Sequence, residues 1–555
     1  MGTPSSVSSY FCLGTKIKKI NMMRIYALIG GIVLLGSLAF IANGQSTPSR
    51  PAFLAAEIQP SAKTTINYMR GGAIRGGRFQ VRTASMLDLI SFAYETEAAK
   101  IVGGPTWLGS ERFDIVAAAP ADTAQDKAAP MLQSLLEDRF GLVIKKESRP
   151  LAVHVLSAGK GKPKMKQSDG KAAAGCQQVD QTRTTGDITG AFTVVNCRNM
   201  TMAALARDLR SMAGSAYITN EVVDETALTG AWDFELRWNP RNQLAAAGGE
   251  ARTIFKAVED LGLKLEPQRR PMDAMVVVSI NRNPTPNAPG VTGKLPPRPP
   301  EDFEVAILKP SPPDATSKGI VQRGRVDVEG IPLQQLVQLA WELSNPDMIV
   351  GLPKSAASTT YSITAKAPIP EGAKSEQEVD EDDLRHMLRT LLIERFQMKA
   401  HMEDRPVEGY VLTAANPKLP KADPADRSEC KEGPGKDGKD PRNSNPALNR
   451  LMTCFNMTMA QFAEQLPLRV NGYVRTAVVN ETKLEGAYDF TVAFSGVNVW
   501  RASLAAVQPG AQADPNGALS FPDAVAKQLG LKLQLEKRMM PVLVIDQMQD
   551  RPVEN

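Results

Sequence analysis

Residues 131–150, MLQSLLEDRFGLVIKKESRP, recur as residues 387–406, MLRTLLIERFQMKAHMEDRP, and this recurrence decides the fold of the chain. In each copy the apolar residues return every three or four positions up to an Arg-Phe pair, which is the pattern of an amphipathic helix. A strand follows the helix, and we expect it to turn back at the Glu-x-Arg-Pro sequence. These shared parts are what a helix needs to pack on a sheet and lead into a hairpin. The stretch is therefore interpreted as a folding unit rather than as a functional site.

The similarity extends in register across most of the chain. Residues 53–60, FLAAEIQP, open the first copy, and residues 303–310, FEVAILKP, open the second. Each predicts a short strand that ends at a proline, because proline lacks the amide needed to continue the pairing. Helices with one buried face are predicted over residues 86–94 and 333–341.

Each copy divides again into two halves of similar element order. The predicted fold class is α+β, with two tandem repeat domains, each of two β-α-β-α-β-β halves with helices packed on small mixed sheets. The predicted boundaries are 1–44 for a signal peptide, 45–280 for repeat domain 1, 281–300 for a linker and 301–555 for repeat domain 2. Seven prolines in the twenty linker residues predict a semi-extended spacer.

The first 44 residues have the features of an export signal. Basic residues between positions 16 and 24 precede an uncharged apolar run over residues 25–42, and Ala42 and Gly44 are the small residues that a signal peptidase recognises. We expect cleavage after Gly44. The alternative is a retained inner-membrane anchor over residues 25–42, because a run of that length nearly spans a bilayer. Both alternatives predict an exported protein, periplasmic or secreted.

The net charge argues against a nucleic-acid partner. Removal of residues 1–44 lowers the formal charge from +5 to +1, since this segment carries four basic residues and no acidic ones. Most of the basicity therefore belongs to the signal, and no basic face for nucleic acid is expected. Contact with a membrane is expected only if the apolar segment is retained.

The four remaining cysteines fall at matching places in the two copies. Cys176 and Cys197 are 21 positions apart, and Cys430 and Cys454 are 24 apart. In an oxidising compartment this pattern predicts two disulfides, Cys176–Cys197 and Cys430–Cys454. Each would stabilise its repeat by about 3 kcal/mol in the chain-entropy account of a loop of this length.

Patterns for metal binding, cofactor binding and nucleophilic catalysis are missing from the sequence. There is no Cys-x-x-Cys pair, and His154, His386 and His401 lie at unrelated positions in the two copies, so neither a metal nor a cofactor is expected. His154 takes the place of Tyr410 in a predicted strand and is interpreted as a packing residue or a residue at the strand edge. No Ser lies in a Gly-x-Ser-x-Gly turn, and no Cys–His pair recurs.

Polar residues that occur in both copies are the candidates for a shared function. Glu147 and Arg149, with their counterparts Glu403 and Arg405, form the candidate ligand surface, for an anionic or a peptide ligand. The alternative, which we favour, is that these residues make ion pairs that serve the fold. The other polar residues shared by both copies are Arg78 and Arg325, Arg139 and Arg395, Asn199 and Asn456, and Asp233 and Asp489.

Two further patterns are assigned to helix ends. The acidic run over residues 380–383 precedes a helix, where carboxylates complement the positive end of the helix dipole. Thr201 and Thr458 are placed to cap the helices that follow them. We therefore assign no catalytic role to these residues.

Several motifs together resemble a known family. They are the opening Phe-x-Val-Ala-x-x-Lys-Pro pattern, Gly-Gly-Pro-x-Trp-Leu at residues 103–108, Leu-Leu-x-x-Arg-Phe at residues 135–140, and the Gly-Ala-Trp/Tyr-Asp-Phe strand. The chain resembles an uncharacterised family of exported domains that is abundant in soil acidobacteria, present here as two tandem copies. The second copy departs from the pattern at residues 351–355, which lack the tryptophan. The resemblance implies export but transfers no activity and no catalytic residue.

These observations favour a non-enzymatic binding or scaffolding module at the cell envelope. Its partner would be an envelope protein or polymer, bound by strand addition at an exposed sheet edge. The alternative is a hydrolase that acts on an envelope or extracellular polymer. A deep pocket lined by Glu147 and Arg149, or by their counterparts, with shifted carboxylate pKa values would favour the enzyme.

Overall fold

The structure of the protein, a computed structural model, describes residues 50–62, 68–179, 192–247, 251–287, 289–297, 299–343, 345–369, 375, 379–423, 426–435, 437–505 and 517–554. Residues 50–555 belong to one unit of contacts. The predicted signal peptide, residues 1–44, lies outside the described residues. Among the described helices, none has both the length and the apolarity needed to cross a membrane.

Repeat 1 alternates short strands with helices and has two long strands. Its helices are α1 (Met86–Ala93), α2 (Ala128–Phe140), α3 (Met202–Ala213), α4 (Leu244–Ala247) and α5 (Ile254–Asp260). Its strands are β1 (Ala55–Pro60), β2 (Arg70–Arg75), β3 (Arg78–Ser85), β4 (Ile101–Gly103), β5 (Arg112–Ala118), β6 (Val143–Ala158), β7 (Lys166–Gln167), β8 (Gly175–Val179), β9 (Thr193–Met200), β10 (Val222–Glu225), β11 (Trp232–Trp238) and β12 (Leu263–Ser279).

Repeat 2 follows a similar order, with one more helix and one strand fewer among its described residues. Its strands are β13 (Val305–Pro310), β14 (Lys318–Gln322), β15 (Arg325–Pro332), β16 (Ile349–Val350), β17 (Thr360–Lys366), β18 (Lys399–Ala414), β19 (Glu429–Glu432), β20 (Arg450–Thr458), β21 (Val478–Asn480), β22 (Ala487–Phe494) and β23 (Leu531–Gln547). Its helices are α6 (Leu333–Trp341), α7 (Lys354–Ser358), α8 (Glu381–Arg395), α9 (Met459–Arg469), α10 (Val497–Ala505) and α11 (Phe521–Ala524), the last continued by a π-helical turn, Val525–Leu529.

Three sheets form among the described residues of each repeat. The first half builds the sheet β1-β5-β3-β2, or β13-β17-β15-β14, and the second half builds β7-β11-β9-β8, or β19-β20-β22. A central sheet joins the two halves, in the order β10-β6-β12-β4 or β21-β18-β23-β16. The predicted class, α+β with two tandem repeats and helices on small mixed sheets, is confirmed.

The central sheet differs from the prediction in one respect. Strands β6 and β12 pair antiparallel along almost their whole lengths, and β18 and β23 do the same. The predicted turns at residues 149–150 and 405–406 are therefore wrong, because each strand continues through its proline. Pro150 lies opposite Pro271 where only these two strands pair, so the amide that each proline lacks would have faced an open edge.

Each half of a repeat has its own hydrophobic core, and both cores of a repeat lie on the same face of its central sheet. Leu543 and Ile545 belong to the first-half core of repeat 2, and Leu531 and Leu533 belong to the second-half core. All four are odd positions of β23, and alternate side chains of a strand share one face. The middle of the central sheet therefore lies between two half-units.

The same bulge occurs in all four halves, in the strand before the first helix. The bulge residue has a positive φ, which only glycine and asparagine adopt at low cost, and its amide donates to a nearby side chain. In three halves this side chain lies on the adjacent strand, and in the first half of repeat 2 it directly follows β13. The four contacts are Thr83 to Asp114 Oδ1 at 2.8 Å, Asn199 to Asp233 Oδ1 at 2.8 Å, Gly330 to Ser311 Oγ at 3.1 Å, and Asn456 to Asp489 Oδ1 at 2.7 Å.

The predicted disulfides and helix caps are confirmed. Cys176 bonds to Cys197 and Cys430 bonds to Cys454, and in each pair the two cysteines lie directly opposite on adjacent strands. Thr201 Oγ1 accepts from the amide of residue 204 and Thr458 Oγ1 from that of residue 461, both at 3.2 Å. The disulfides thus join β8 to β9 and β19 to β20.

Candidate functional site

The predicted ligand-surface residues lie on the face of the central sheets opposite the hydrophobic cores, and their side chains are 39–50% exposed. Arg149 Nη2 lies 2.6 Å from Glu147 Oε2, and Arg405 Nη2 lies 3.0 Å from Glu403 Oε2. The hydrogen bond from Arg405 lowers the pKa of Glu403. Each pair spans two positions of one strand, so the four residues form two surface ion pairs on separate sheets. Such exposed pairs contribute about 0–1 kcal/mol to stability.

Two cavities are formed elsewhere, and the predicted surface residues line neither of them. One cavity of about 390 Å³ lies between the repeats, and one of about 210 Å³ lies between β1, α2 and the linker. Neither cavity is the deep pocket at the Glu-Arg pairs that would favour an enzyme. The role of Glu147, Arg149, Glu403 and Arg405 in ligand binding stays a prediction.

The opposite face of the central sheet in repeat 2 carries an apolar strip between the two half-units. Met402, Leu535 and Met539 are 50%, 55% and 63% exposed, and Pro406 and Pro541 lie beside them. Side-chain alternation places these residues on the face that carries the two cores, because Met402 lies opposite Leu543 and Pro406 opposite Met539. We call these five residues the apolar strip.

Only two strands form the sheet beneath the strip. Strand β16 pairs with β23 at residues 543–544, and β21 pairs with β18 at residues 410–412, so neither reaches the middle. The open stretch, residues 402–410 of β18, is about 27 Å long at 3.4 Å per residue. The half-units close both ends of it, and the strip therefore forms the floor of a cleft.

An ion-pair cluster, which the sequence did not predict, joins the two repeats. Arg82 of β3 lies 3.5 Å from Asp382 and 3.2 Å from Asp383 at the start of α8, and Arg70 of β2 lies 2.6 Å from Asp382. Asp380 caps α8, as the interpretation of the acidic run requires, and also pairs with Arg75. The acidic run therefore serves the interface as well as the helix end.

Burial raises the pKa values of two carboxylates in the ion-pair cluster. Burial raises the pKa of Asp382, and it raises the pKa of Asp383 to about 6 although Arg82 opposes the shift. Both carboxylates line the 390 Å³ cavity together with Arg82, His386 and Pro299. This cavity is the place where the described residues combine a pocket with shifted carboxylate pKa values.

A second polar contact between the repeats is almost fully buried. Arg442 donates from Nε and Nη2 to the two oxygens of Asp440 at 2.8 Å, and Arg241 of repeat 1 lies 3.9 Å from the same carboxylate. The guanidinium of Arg241 also lies 4.6 Å from the ring centre of Tyr217. Because Arg241 and Arg442 share one buried aspartate, Asp440 holds the second halves of the repeats together.

The histidines lie apart from one another, as their sequence positions suggested. His154 is buried, and this burial lowers its pKa to about 4. His401 is exposed, and a hydrogen bond with Asp546 at 2.8 Å raises its pKa. Within the described ranges, no group of three or more His, Cys, Asp or Glu side chains is placed to hold a metal ion.

The comparisons with known proteins identify a family. A family model described as "Protein of unknown function (DUF3738)" matches residues 87–280 and residues 334–548, which together are more than half of the chain. The chain belongs to the DUF3738 family. The two matched regions lie in the two repeats, and this confirms a domain family of unknown function in two tandem copies. The abundance of the resembling family in acidobacteria and the export of its members stay predictions.

No further relative adds to this identification. No curated protein and no solved structure matches the chain. The functional argument for this DUF3738 protein therefore rests on its own geometry.

The apolar strip and the ion-pair cluster both escaped the search for polar residues shared by the DUF3738 repeats, because neither feature recurs at equivalent positions of both repeats. At the places of Met402, Leu535 and Met539, repeat 1 has Lys146, Pro267 and Pro271. Likewise, Arg82 takes the place of Glu329. A comparison of the positions at which the repeats differ would have found both features.

Proposed function

We propose that this DUF3738 protein is an exported, non-enzymatic binding module of the cell envelope, and that repeat 2 binds an amphipathic helix of a partner protein over the apolar strip. The observation that carries the proposal is the exposure of Met402, Leu535 and Met539 between the two half-units of repeat 2, which bound the cleft at its two ends. Contiguous exposed apolar side chains on a folded protein are characteristic of interaction sites.

The chemistry of the strip suits a helical partner. A helix with its side chains is about 10–12 Å wide. The open stretch of β18 between the two half-units is about 27 Å long, so a helix that crosses the two strands fits between those half-units. Methionine side chains are flexible and polarisable, and they adapt to the apolar face of a bound helix. Exposed charges of Asp404, Glu408 and Lys537 lie among the apolar residues and would form the polar rim.

The difference between the repeats argues that the strip serves binding rather than folding. Repeat 1 builds the same central sheet with Lys146, Pro267 and Pro271 at these positions. The sheet therefore does not need exposed methionine and leucine side chains there.

Two features support a location outside the cytoplasm. The basic and apolar pattern of residues 16–42 is that of an export signal, and both disulfides suit an oxidising compartment. Intact-mass measurement of the protein from the producing cell tests this location. We expect a chain that begins at Gln45 and has lost four hydrogens, and an uncleaved, reduced chain would contradict export with cleavage.

Site-specific photocrosslinking in the producing cell tests the binding site. A photoreactive amino acid in place of Met539 should give one crosslinked species, and the additional substitution Leu535→Asp should abolish it. The matched control has the photoreactive group in place of Val278, an exposed residue of the central sheet of repeat 1. Equal crosslinking at both positions, or none at Met539, would refute the binding site.

A hydrolase is the second candidate, because the 390 Å³ cavity contains a carboxylate with a raised pKa, Asp383. However, Arg82 pairs with this carboxylate and with Asp382, which occupies both groups in ion pairs. Hydrolysis of isolated cell-wall polymers should therefore be absent in the wild type. Turnover that is present in the wild type and lost in Asp383→Asn would establish the enzyme and overturn the binding proposal.

A further inference from the structure

The linker between the repeats follows β12 in the sequence and is bound to repeat 1. Its first residues contact the C-terminal end of α2. The amide of Asn281 donates to Phe140 O and that of Thr285 donates to Arg139 O, both at 2.7 Å. In return, Arg139 donates from Nε to Thr285 O and from Nη1 to Asn287 Oδ1, again at 2.7 Å. Arg139 therefore fixes the path of the linker.

The linker then covers the outer side of β1. Pro286 and Val291 line the 210 Å³ cavity together with Phe53 and Ala56, and the turn Thr292–Lys294 lies against β1. Beneath this cover, Ala55 of β1 is only 5% exposed. The linker thus shields the first sheet of repeat 1 along its edge strand.

Repeat 2 begins the same arrangement with its C-terminal segment. The amide of Gln549 donates to Phe396 O and that of Val553 donates to Arg395 O, both at 2.7 Å. Arg395, the counterpart of Arg139, donates to Glu554 O at 3.0 Å. Up to this point the segments that follow the two central sheets take equivalent paths.

The two repeats differ over the edge strand itself. Val305 of β13 is the counterpart of Ala55 and is 56% exposed, and Ile307, the counterpart of Glu57, is 46% exposed. The surface that the linker covers in repeat 1 is thus bare in repeat 2. It is also more apolar, because valine and isoleucine replace alanine and glutamate.

We propose that the outer side of β13, with Arg395 at one end, binds an extended, proline-containing segment of a partner protein. The segment would lie as residues 286–287 and 289–297 lie on repeat 1, because Val553 and Glu554 already take the place of Thr285 beside Arg395. Val305 and Ile307 would supply the apolar contact. A proline-rich segment is already extended before it binds, so little conformational entropy is lost.

This second surface is separate from the apolar strip. Val305 and Ile307 belong to the sheet β13-β17-β15-β14, whereas the strip belongs to the central sheet. Either surface can therefore fail its test without affecting the other.

A peptide with the linker's own sequence is the probe. Fluorescently labelled residues 283–297, NPTPNAPGVTGKLPP, are titrated with the chain from residue 45 to residue 555 in its oxidised form, and binding is followed by anisotropy. We expect saturable binding of one peptide per chain. The double substitution Val305→Asp with Ile307→Asp should weaken it at least about tenfold, because two exposed aliphatic side chains lose their contact.

Three controls make the result decisive. Val278→Asp introduces the same charge at another exposed strand position and should leave the affinity unchanged, and thermal unfolding should show that all variants are folded. A peptide of scrambled sequence should not bind.

Two outcomes would overturn the proposal. One is the absence of saturable binding by the wild-type chain. The other is equal affinity of the wild type and the Val305→Asp, Ile307→Asp variant, since the peptide would then be replacing the linker on repeat 1.

Discussion

At the scale of single residues, His154 shows how one position differs between the repeats. Its buried Nδ1 has no hydrogen-bond partner among the described residues, and its ring stacks on Phe255 with the ring centres 6.2 Å apart. Tyr410 takes the same place in repeat 2, where its hydroxyl donates to Tyr473 O at 2.8 Å. The sequence predicted a packing residue here, and burial confirms it.

The substitution His154→Tyr should stabilise the protein, and more strongly in acid. Burial lowers the pKa of His154 from 6.5 to about 4, so the stability that its neutral form contributes is present above pH 6.5 and lost as the pH falls to 4. The stability gap between the variant and the wild type should widen by about 3 kcal/mol over this range. A gain of about 1 kcal/mol at pH 7 is expected from the new hydrogen bond.

Urea unfolding at pH 4.5 and pH 7 measures this gap. The control is Val278→Tyr, which introduces the same side chain at an exposed position that carries no titratable group and should leave the pH dependence as it is. A gap that does not change with pH would show that burial does not lower the pKa of His154.

At the scale of elements, the sequence predicted the helices better than the long strands. Apolar spacing placed α1 and α6 within one residue of their observed ends, because one face of each helix is buried. The strands β6 and β18 were divided at Pro150 and Pro406, where proline usually ends a strand. Their continuity depends on the pairing with β12 and β23, which lie far away in the sequence and which no local pattern reports.

The bulges explain why some polar residues recur. Asn199 and Asn456 adopt a positive φ, and Asp233 and Asp489 accept their amides, so these residues serve the fold. Repetition alone marked them as candidates for function. It could not separate a structural role from a functional one, because both are kept in each copy.

The substitution Asp489→Ala should destabilise the protein by about 1–3 kcal/mol. It leaves the amide of Asn456 without its acceptor in a strained part of the strand. Chemical denaturation of the oxidised chain measures the loss, and Asp437→Ala, in a loop, is the control with the same change of side chain. A loss no larger than that of the control would show that the bulge does not depend on this contact.

At the scale of the whole molecule, charge differences between the repeats decide how they pack. Arg70, Arg75 and Arg82 belong to repeat 1 only, and the acidic run over residues 380–383 belongs to repeat 2 only. The sequence predicted two domains and a spacer, but not that the spacer would bind to repeat 1. The interface and the apolar strip depend on contacts between distant parts of the chain, so neither could be located from local patterns.

Burial of Asp383 at this interface should have the opposite pH dependence to burial of His154. Its folded pKa of about 6 lies above the ordinary value of 3.8, so the folded protein takes up the proton more readily than the unfolded chain. The stability that the protonated form contributes is therefore present below pH 3.8 and is lost as the pH rises through 6. The contributions of His154 and Asp383 to the pH dependence therefore partly cancel between pH 4 and 6.

The substitution Asp383→Asn should remove the contribution of Asp383 to the pH dependence of stability. Because burial of the charge outweighs its attraction to Arg82, the variant should be more stable than the wild type at pH 7, and the gap should shrink by about 3 kcal/mol as the pH falls to 4. Urea midpoints across this range measure the gap, with Asp437→Asn, in an exposed loop, as the control. If Asp383→Asn is instead less stable than the wild type at pH 7, the ion pair with Arg82 holds the repeats together more strongly than burial of the charge opposes it.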